Sequence, residues 1–203
     1  MTSLKITLSN IKQDFQRRVL LEHCEGLLHK LVLLLKPGMI GVICYRLSHY
    51  FVQGKLRLIC RFLLLIEHLY CRNEISPYAQ IGPGLVLGDI GAIGVPGETV
   101  IGKNCTLQGF NTFTLNAIAG VDFTVDRIVI GDYCMLGTRA KIMRPITIAD
   151  GVQVKNNSVV MFSMAKVGAT LSGVPAKKRR VDDYNAIMNW NPLLGGFLEQ
   201  VAQ

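Results

Sequence analysis

The chain has 203 residues, enough for one domain with a small appendage. Its net charge of +8 favours anionic partners such as phosphate-bearing cofactors, lipid or nucleic acid. Because only 7% of the residues are aromatic and no basic stacking motif is found, we expect no nucleic-acid partner. Half of the residues are hydrophobic, yet no uninterrupted apolar run reaches the roughly 20 residues of a membrane-spanning helix.

The first twenty residues mix Lys, Asp, Gln and Arg without a clean apolar stretch, so they predict no secretory signal peptide. We therefore expect a cytoplasmic protein. The six cysteines are widely spaced and form no C-x-x-C pair, which argues against a zinc site and against a disulfide framework. We expect no metal, and we expect most of the cysteines to be buried as small hydrophobic side chains.

Residues 1–72 are predicted to form an N-terminal helical region. Helical spacing of apolar residues predicts helices over 11–35, 39–53 and 55–71, with a stop at Lys36-Pro37-Gly38. In the third helix Arg57, Arg61 and His68 share one side, and Glu67 lies on its flank. The apolar faces fit either peripheral membrane contact or packing against each other and a partner subunit, and the second interpretation is favoured.

From residue 73 to 178 the sequence period changes to six. One aliphatic residue recurs at every sixth position and a small or apolar residue follows four places later, while Gly, Asn and Asp between them suit tight turns. The aliphatic positions are Ile130, Leu136, Ile142, Ile148, Val154 and Val160, preceded by Ile75, Ile81, Leu87 and Ile93 and, after a two-residue shift, Val95, Ile101, Leu107 and Phe113. This pattern predicts a parallel β-helix of stacked hexapeptide repeats.

Two segments depart from the period. Residues 114–127 do not keep it and are predicted to form a loop thrown out from the β-helix, a common carrier of function on a rigid scaffold. Residues 179–203 form a C-terminal tail, whose apolar part could pack on a neighbouring subunit, cover a groove or be disordered.

The motifs EISPYAQIGPG, GETVIG, VDRIVIGD and SGVPAKK occur in this order between about residues 40 and 178, together with YRLSHYF in the helical part. In these motifs the chain resembles the serine O-acetyltransferases, a family of hexapeptide-repeat acyltransferases. The resemblance implies an α+β fold: an N-terminal helical region followed by a left-handed parallel β-helix of hexapeptide repeats. It also implies a homotrimer that binds acetyl-CoA, or another acyl thioester, between neighbouring subunits.

The resemblance assigns a cofactor groove to two segments. These are Thr138, Arg139, Ala140 and Lys141, and then Gly173, Val174, Pro175, Ala176 and Lys177. The sequence AKKRR at 176–180 offers four cations beside a glycine turn, which suit the pyrophosphate and 3′-phosphate of CoA. In the family a C-terminal isoleucine docks into a cysteine-forming sulfhydrylase. This chain ends in Val-Ala-Gln, which argues against that partnership.

The catalytic residues match the family only in part. Glu74 stands in the place of the family's orienting carboxylate, and Arg127 in the place of the arginine that holds the substrate carboxylate. Counted back from GET, Asp89 replaces the family's aspartate before its histidine, whereas counted forward from Glu74 it takes the histidine's own place. Both family histidines are missing, because no histidine follows His68.

Three explanations for the missing base remain open. In the first, another group replaces the histidine: Asp89 or Glu74 acts as the base with a raised pKa, or Cys105 or Cys134 forms a covalent acyl intermediate. In the second, the acceptor is an amine, which attacks when it is unprotonated and so depends less on a general base. Finally, the protein is a non-catalytic binding or scaffold subunit, and Asp89 is a plain turn residue. We favour an acyltransferase, acting on a hydroxyl or amine of a small-molecule acceptor that is serine by default.

Overall fold

The computed structural model describes residues 3–54, 56–89, 91–115, 127–143 and 145–179. The predicted tail, apart from its first residue, and most of the predicted loop over 114–127 lie outside these ranges.

Four α-helices and one π-helical segment precede the strands. They are α1 (Leu4–Leu21), α2 (Leu27–Leu35), α3 (Pro37–Gln53), α4 (Arg57–Ile66) and the π segment (Glu67–Cys71). The predicted single helix over 11–35 is therefore wrong in one respect, because it breaks between α1 and α2. His23 adopts a positive φ of 51° at this break, which no helix accommodates. The predicted stop at Pro37 is real but brief, since proline suits the first turn of α3.

The third predicted helix consists of α4 and the π segment. A π segment holds one extra residue per turn and so rotates the side chains that follow it. It ends at Arg72, whose φ of 53° turns the chain into the first strand. The predicted cluster on this helix therefore lies across the junction between the α-helical and π-helical parts.

In the described ranges fifteen short strands follow and form three sheets. They are β1 (Glu74–Ile75), β2 (Gln80–Ile81), β3 (Val86–Leu87), β4 (Gly94–Val95), β5 (Thr99–Ile101), β6 (Thr106–Leu107), β7 (Thr112–Thr114), β8 (Ile128–Ile130), β9 (Met135–Leu136), β10 (Lys141–Met143), β11 (Thr147–Ile148), β12 (Gln153–Val154), β13 (Val159–Val160), β14 (Thr170–Ser172) and β15 (Lys177–Arg179). Sheet A has the order β1-β4-β7-β10-β13, sheet B β11-β8-β5-β2 and sheet C β15-β14-β12-β9-β6-β3. All pairs are parallel except β14–β15.

Each coil of the chain thus contributes one strand to each sheet in turn, which is a parallel β-helix. Every aliphatic position of the six-residue period is buried in its interior, from Ile75 to Val160. In the run from Ile130 to Val160 the residues four places later, such as Cys134 and Ala140, are buried as well. The predicted hexapeptide repeats are confirmed, and the stacked coils bury each other's apolar faces.

Buried arginines attach the helical region to the first coils. Arg17 donates to the carbonyl oxygens of Gly84 and Cys105 at 2.6 and 2.7 Å. Arg46 donates to the carbonyls of Ile81 and Gly82, both at 2.6 Å. A guanidinium has five donors and satisfies several carbonyls at once, so these contacts fix α1 and α3 on the β-helix.

The helical region also carries a large exposed apolar face. Leu27, Leu28 and Leu35 of α2 are 67–76% exposed, and Leu58 and Phe62 of α4 are 81% and 62% exposed. The Tyr70 hydroxyl of the π segment donates to the carbonyl of Leu35, the last residue of α2, at 3.1 Å. Within the described ranges no helix has by itself the length and apolar content of a bilayer span. Only α2 and α3 taken together meet those criteria, and they are bent by 65°.

Candidate functional site

A cavity of about 770 Å³ lies between sheet A and the helix formed by α4 and the π segment. Its floor is made by residues of β1, β4 and β7, and its roof includes Arg61, Glu67 and His68. Apolar side chains such as Leu64 and Phe113 make up much of the remaining wall. The size falls in the range of small-molecule sites, which are typically about 300–1,000 Å³ and mostly apolar with few polar groups.

The floor of this cavity contains Glu74, the predicted orienting carboxylate. Strand register aligns Glu74 with Gly94 and Gly94 with Thr112, and then Thr112 with Lys141 on the next coil. A Cβ at Gly94 would meet nothing within 4 Å, so the glycine leaves open space between the carboxylate and the threonine. Glu74 is exposed to this space.

Glu67 is the most deeply buried ionisable group in the roof, with 1% of its surface exposed. One carboxyl oxygen accepts from the backbone N–H of Ile75 at 3.4 Å, and the other has no hydrogen-bond partner among the described residues. Burial raises the pKa of Glu67 to about 8. The group is therefore largely protonated and neutral at pH 7.

His68 lines the same cavity as Glu74. The sequence placed His68 beside Arg61 on one side of a helix, but nothing in the six-residue period connected that helix with the repeat strands. The structure makes the connection, because the chain returns from the π segment directly into β1. The only hint in the sequence that His68 and Glu74 lie close together was their separation by six residues along the chain.

Asp89 lies elsewhere, in an ion-pair network under α1 and α3. Its Oδ1 accepts from Arg18 at 2.6 Å and from the backbone N–H of Gly38 at 3.1 Å, and Lys36 lies 3.7 Å from its Oδ2. Arg18 and Lys36 also pair with Glu22. These contacts engage the carboxylate with the helical region and favour a structural role, and the catalytic role of Asp89 stays a prediction.

Arg127 lines a second, smaller cavity of about 240 Å³ on sheet B, together with Gln80, Glu98 and Thr99. The Thr99 hydroxyl is buried there without a partner among the described residues. Glu74 and Arg127 therefore lie on different sheets, and a single chain does not bring them into one site.

The two predicted cofactor segments meet at the corner between sheets C and A. Lys141 N donates to the Ser158 carbonyl at 2.8 Å, Val159 N donates to the Gly173 carbonyl at 3.0 Å, and Ala176 N donates to the Val159 carbonyl at 2.7 Å. Residues 157–159 thus connect both segments. Since Lys141 also continues the row of Glu74 and Thr112, this corner and the large cavity share sheet A.

The covalent alternative through cysteine lacks access. Cys105 and Cys134 are both fully buried inside the β-helix. The hydrogen bond with Cys105 and burial raise the pKa of Cys134 well above its ordinary value. An enclosed thiol is out of reach of a substrate, so neither cysteine serves as nucleophile in this arrangement. The described residues also contain no cluster of three His, Cys, Asp or Glu side chains that could hold a metal ion.

Comparison with known proteins shows what the chain resembles. No family model matches it. It is 33% identical over 147 residues to a serine acetyltransferase of Helicobacter pylori, an alignment that covers 72% of this chain and 83% of the relative. A serine acetyltransferase of Synechococcus elongatus is 29% identical over 147 residues, with 72% of this chain and 58% of the relative covered.

Solved structures agree with the fold. The crystal structure of Neisseria gonorrhoeae serine acetyltransferase superposes with a TM-score of 0.76 at 23% identity, covering 88% of this chain and 68% of that one. A serine acetyltransferase in complex with CoA gives a TM-score of 0.73 at 22% identity, covering 87% of this chain and 71% of that one. The predicted fold class, a helical region followed by a left-handed parallel β-helix, is confirmed. With the repeats and the sequence similarity together, the chain belongs to the serine acetyltransferase family of hexapeptide-repeat acyltransferases.

Proposed function

We propose that the protein transfers an acetyl group from acetyl-CoA to a small-molecule acceptor, serine by default, through a modified catalytic site. The observation that carries the proposal is the row on sheet A from Glu74 through Gly94 and Thr112 to Lys141. This row runs from a cavity of substrate size to the corner formed by the two cofactor segments. The relatives named serine acetyltransferase support the reaction class.

The cofactor corner offers what a phosphate-rich ligand needs. Lys141, Lys177 and Lys178 are exposed there, and Arg139 lies over the Phe110 ring with its guanidinium carbon 5.6 Å from the ring centre. Exposed cations beside a glycine turn suit the pyrophosphate and 3′-phosphate of CoA. We assign the thioester end to the direction of the large cavity, along sheet A.

A homotrimer completes this proposal. Arg127, the residue expected to hold a substrate carboxylate, lies on sheet B and so away from Glu74 in the same chain. If sheet B of one copy faces sheet A of the next, the two residues meet at the subunit boundary. A cytoplasmic location stays a prediction.

Calorimetric titration with acetyl-CoA, followed by a thiol-release assay with serine and a panel of hydroxyl and amine acceptors, tests the function. We expect binding and thiol release. Lys141→Ala should weaken acetyl-CoA binding about tenfold, because a charge-assisted contact to phosphate contributes about 1.5–3 kcal/mol when well formed. Lys103→Ala removes an equally exposed lysine from another corner and should leave the affinity unchanged.

A non-catalytic binding or scaffold subunit is the second candidate, because no histidine follows His68 in the chain. Binding of acetyl-CoA without thiol release for every acceptor would favour it. An absence of binding would contradict the cofactor assignment altogether.

A further inference from the structure

Resting on the proposed acyl transfer, we propose that His68 is the general base of this protein and that the cavity under α4 and the π segment is its acceptor site. Arg61, which lines the same cavity, binds the carboxylate of the acceptor and so takes the role that the resemblance gives to Arg127. The base thus comes from the helical region, whereas the resemblance places it in the repeats.

The first argument is position. Arg61, Leu64, Leu65 and His68 all line the cavity, and their spacing of three, four and seven residues marks one face of a helix. Leu58, Phe62 and Leu69 do not line the cavity; they lie about a quarter turn further round the helix and are 81%, 62% and 70% exposed. Arg61 and His68 therefore line the cavity while they stay exposed to solvent, where an acceptor can reach them.

The second argument is the set of charges around His68. The titratable groups that line the cavity are Arg61, Glu67, His68 and Glu74. Glu67 is buried in the roof with one oxygen unpartnered, so it presents a neutral carboxyl to the cavity. Glu74 is then the anion available to accept from one imidazole N–H while the other nitrogen faces the acceptor. In our proposal, a hydrogen bond from His68 to Glu74 forms when the acceptor binds and gives the pair of base and orienting carboxylate that activates a hydroxyl.

The third argument is the composition of the site as a receptor. A cavity with a cation, an anion and apolar walls suits a small zwitterionic acceptor that carries a hydroxyl. A hydroxy amino acid fits, with its carboxylate on Arg61 and its hydroxyl toward His68. Gly94 leaves the floor open beside Glu74, where a side chain would otherwise occupy the space.

The chemistry balances without any further reactant. One imidazole nitrogen of His68 takes the proton of the acceptor hydroxyl while that oxygen attacks the thioester carbonyl carbon. The tetrahedral intermediate collapses, the C–S bond breaks and the CoA sulfur leaves. The imidazolium then returns its proton to the sulfur, so that the ester and the free thiol are released and His68 is neutral again.

His68→Gln tests the base, with His29→Gln as the matched control, since His29 is an exposed histidine on α2 outside the cavity. We expect kcat with serine to fall about 10²- to 10⁴-fold in the first variant, with an unchanged acetyl-CoA affinity and melting temperature. The control should keep kcat. The limb of the wild-type pH profile that reports the free imidazole should disappear in His68→Gln.

His68→Ala provides a second readout, because added imidazole can occupy the space that it leaves. Partial recovery of kcat by imidazole in His68→Ala, and none in His68→Gln, supports a base over a structural role. Wild-type turnover in His68→Gln, or an unchanged pH limb in the residual activity, overturns the assignment while leaving the proposed function intact. If wild-type protein itself releases no thiol with any acceptor, the proposed function fails, and this inference with it.

Arg61→Ala tests the acceptor contact. We expect the KM for serine to rise at least tenfold and the KM for serinamide, which lacks the carboxylate, to stay within about twofold. Arg57→Ala, an exposed arginine one turn earlier and outside the cavity lining, is the control. Equal effects of Arg61→Ala on both acceptors would overturn the assigned role of Arg61.

Discussion

Asp89 stands at a catalytic position of the family in sequence, but its carboxylate binds residues of the helical region. Asp89 follows β3 by two residues, and its carboxylate accepts from Arg18 of α1 and from the backbone N–H of Gly38 in α3. Close packing requires glycine at 38, because a Cβ there would lie 2.4 Å from the Leu87 carbonyl oxygen. The carboxylate thus holds the helical region on the third strand.

We expect Asp89→Asn to lower the free energy of unfolding by about 1–2 kcal/mol and to leave the pH profile of kcat unchanged. The Arg18 side chain is only 5% exposed and loses an anionic partner, although it keeps Glu22 and the Leu87 carbonyl. Asp89 itself is partly solvated, which limits the loss. Urea unfolding and a kcat–pH profile are the measurements. Loss of one limb of the profile would make Asp89 the base after all.

At the scale of elements, α1 and α3 attach to the β-helix through buried charges. Asp14 is fully buried, pairs with Arg46 at 2.8 Å and accepts from the backbone N–H of Leu85 at 2.8 Å. Arg46 in turn satisfies two carbonyls of the first coil. Each group satisfies donors or acceptors that would otherwise be buried unpaired.

Arg46→Met should therefore cost about 3–5 kcal/mol, because it leaves the Asp14 carboxylate buried without its cation. Arg57→Met, at an exposed arginine of α4, should change the free energy of unfolding by less than about 0.5 kcal/mol. Denaturant unfolding of both variants measures the difference. The double variant Asp14→Leu with Arg46→Met should recover part of the loss, and equal stability of both single variants would contradict the role of the pair.

The elements differ in how far the sequence predicts them. A side chain that points into a narrow interior recurs at every sixth residue, so the period located nearly every strand from Ile75 to Val160. The break after α1 and the π segment depend on local φ values and on packing. Neither produces a repeating pattern in the sequence, so the hydrophobic period does not predict them. For the same reason the sequence pattern does not distinguish Arg17 and Arg46 from exposed polar residues of a helix. They are instead buried, because they donate to carbonyls of another element.

At the scale of the molecule, the site was only partly predictable. Glu74 was placed by its motif, and it lies in the cavity. Glu74 and Arg127 are separated because Glu74 is in β1 of sheet A and Arg127 directly precedes β8 of sheet B. The sequence does not predict this, because the loop before Arg127 has no period from which the sheet of the next strand could be counted. His68 belongs to a segment outside the repeats, so only the tertiary fold brings it to β1.

The buried carboxyl of Glu67 makes the stability of the whole molecule depend on pH. Burial raises its pKa from 4.5 to about 8, so between these values the folded state binds more protons than the unfolded state. The free energy of unfolding therefore falls as pH rises from about 4.5 to about 8, by at most about 1.4 kcal/mol per pH unit from this group. Below that window the contribution is fully present.

Glu67→Gln removes the titration and keeps an oxygen that can accept from the backbone N–H of Ile75. We expect the variant to gain about 2–4 kcal/mol relative to wild type between pH 5 and pH 8, because only the wild-type protein must keep a proton on a buried carboxyl. Urea unfolding of both proteins at several pH values measures this difference. The contributions of the other titrating groups are the same in both proteins and cancel when the two curves are subtracted. Glu98→Gln, at an exposed glutamate of the second cavity, is the control and should run parallel to wild type. If the Glu67→Gln curve also ran parallel, Glu67 would be ionised in the folded protein, and the cavity would carry a negative charge in its roof in addition to Glu74 in its floor.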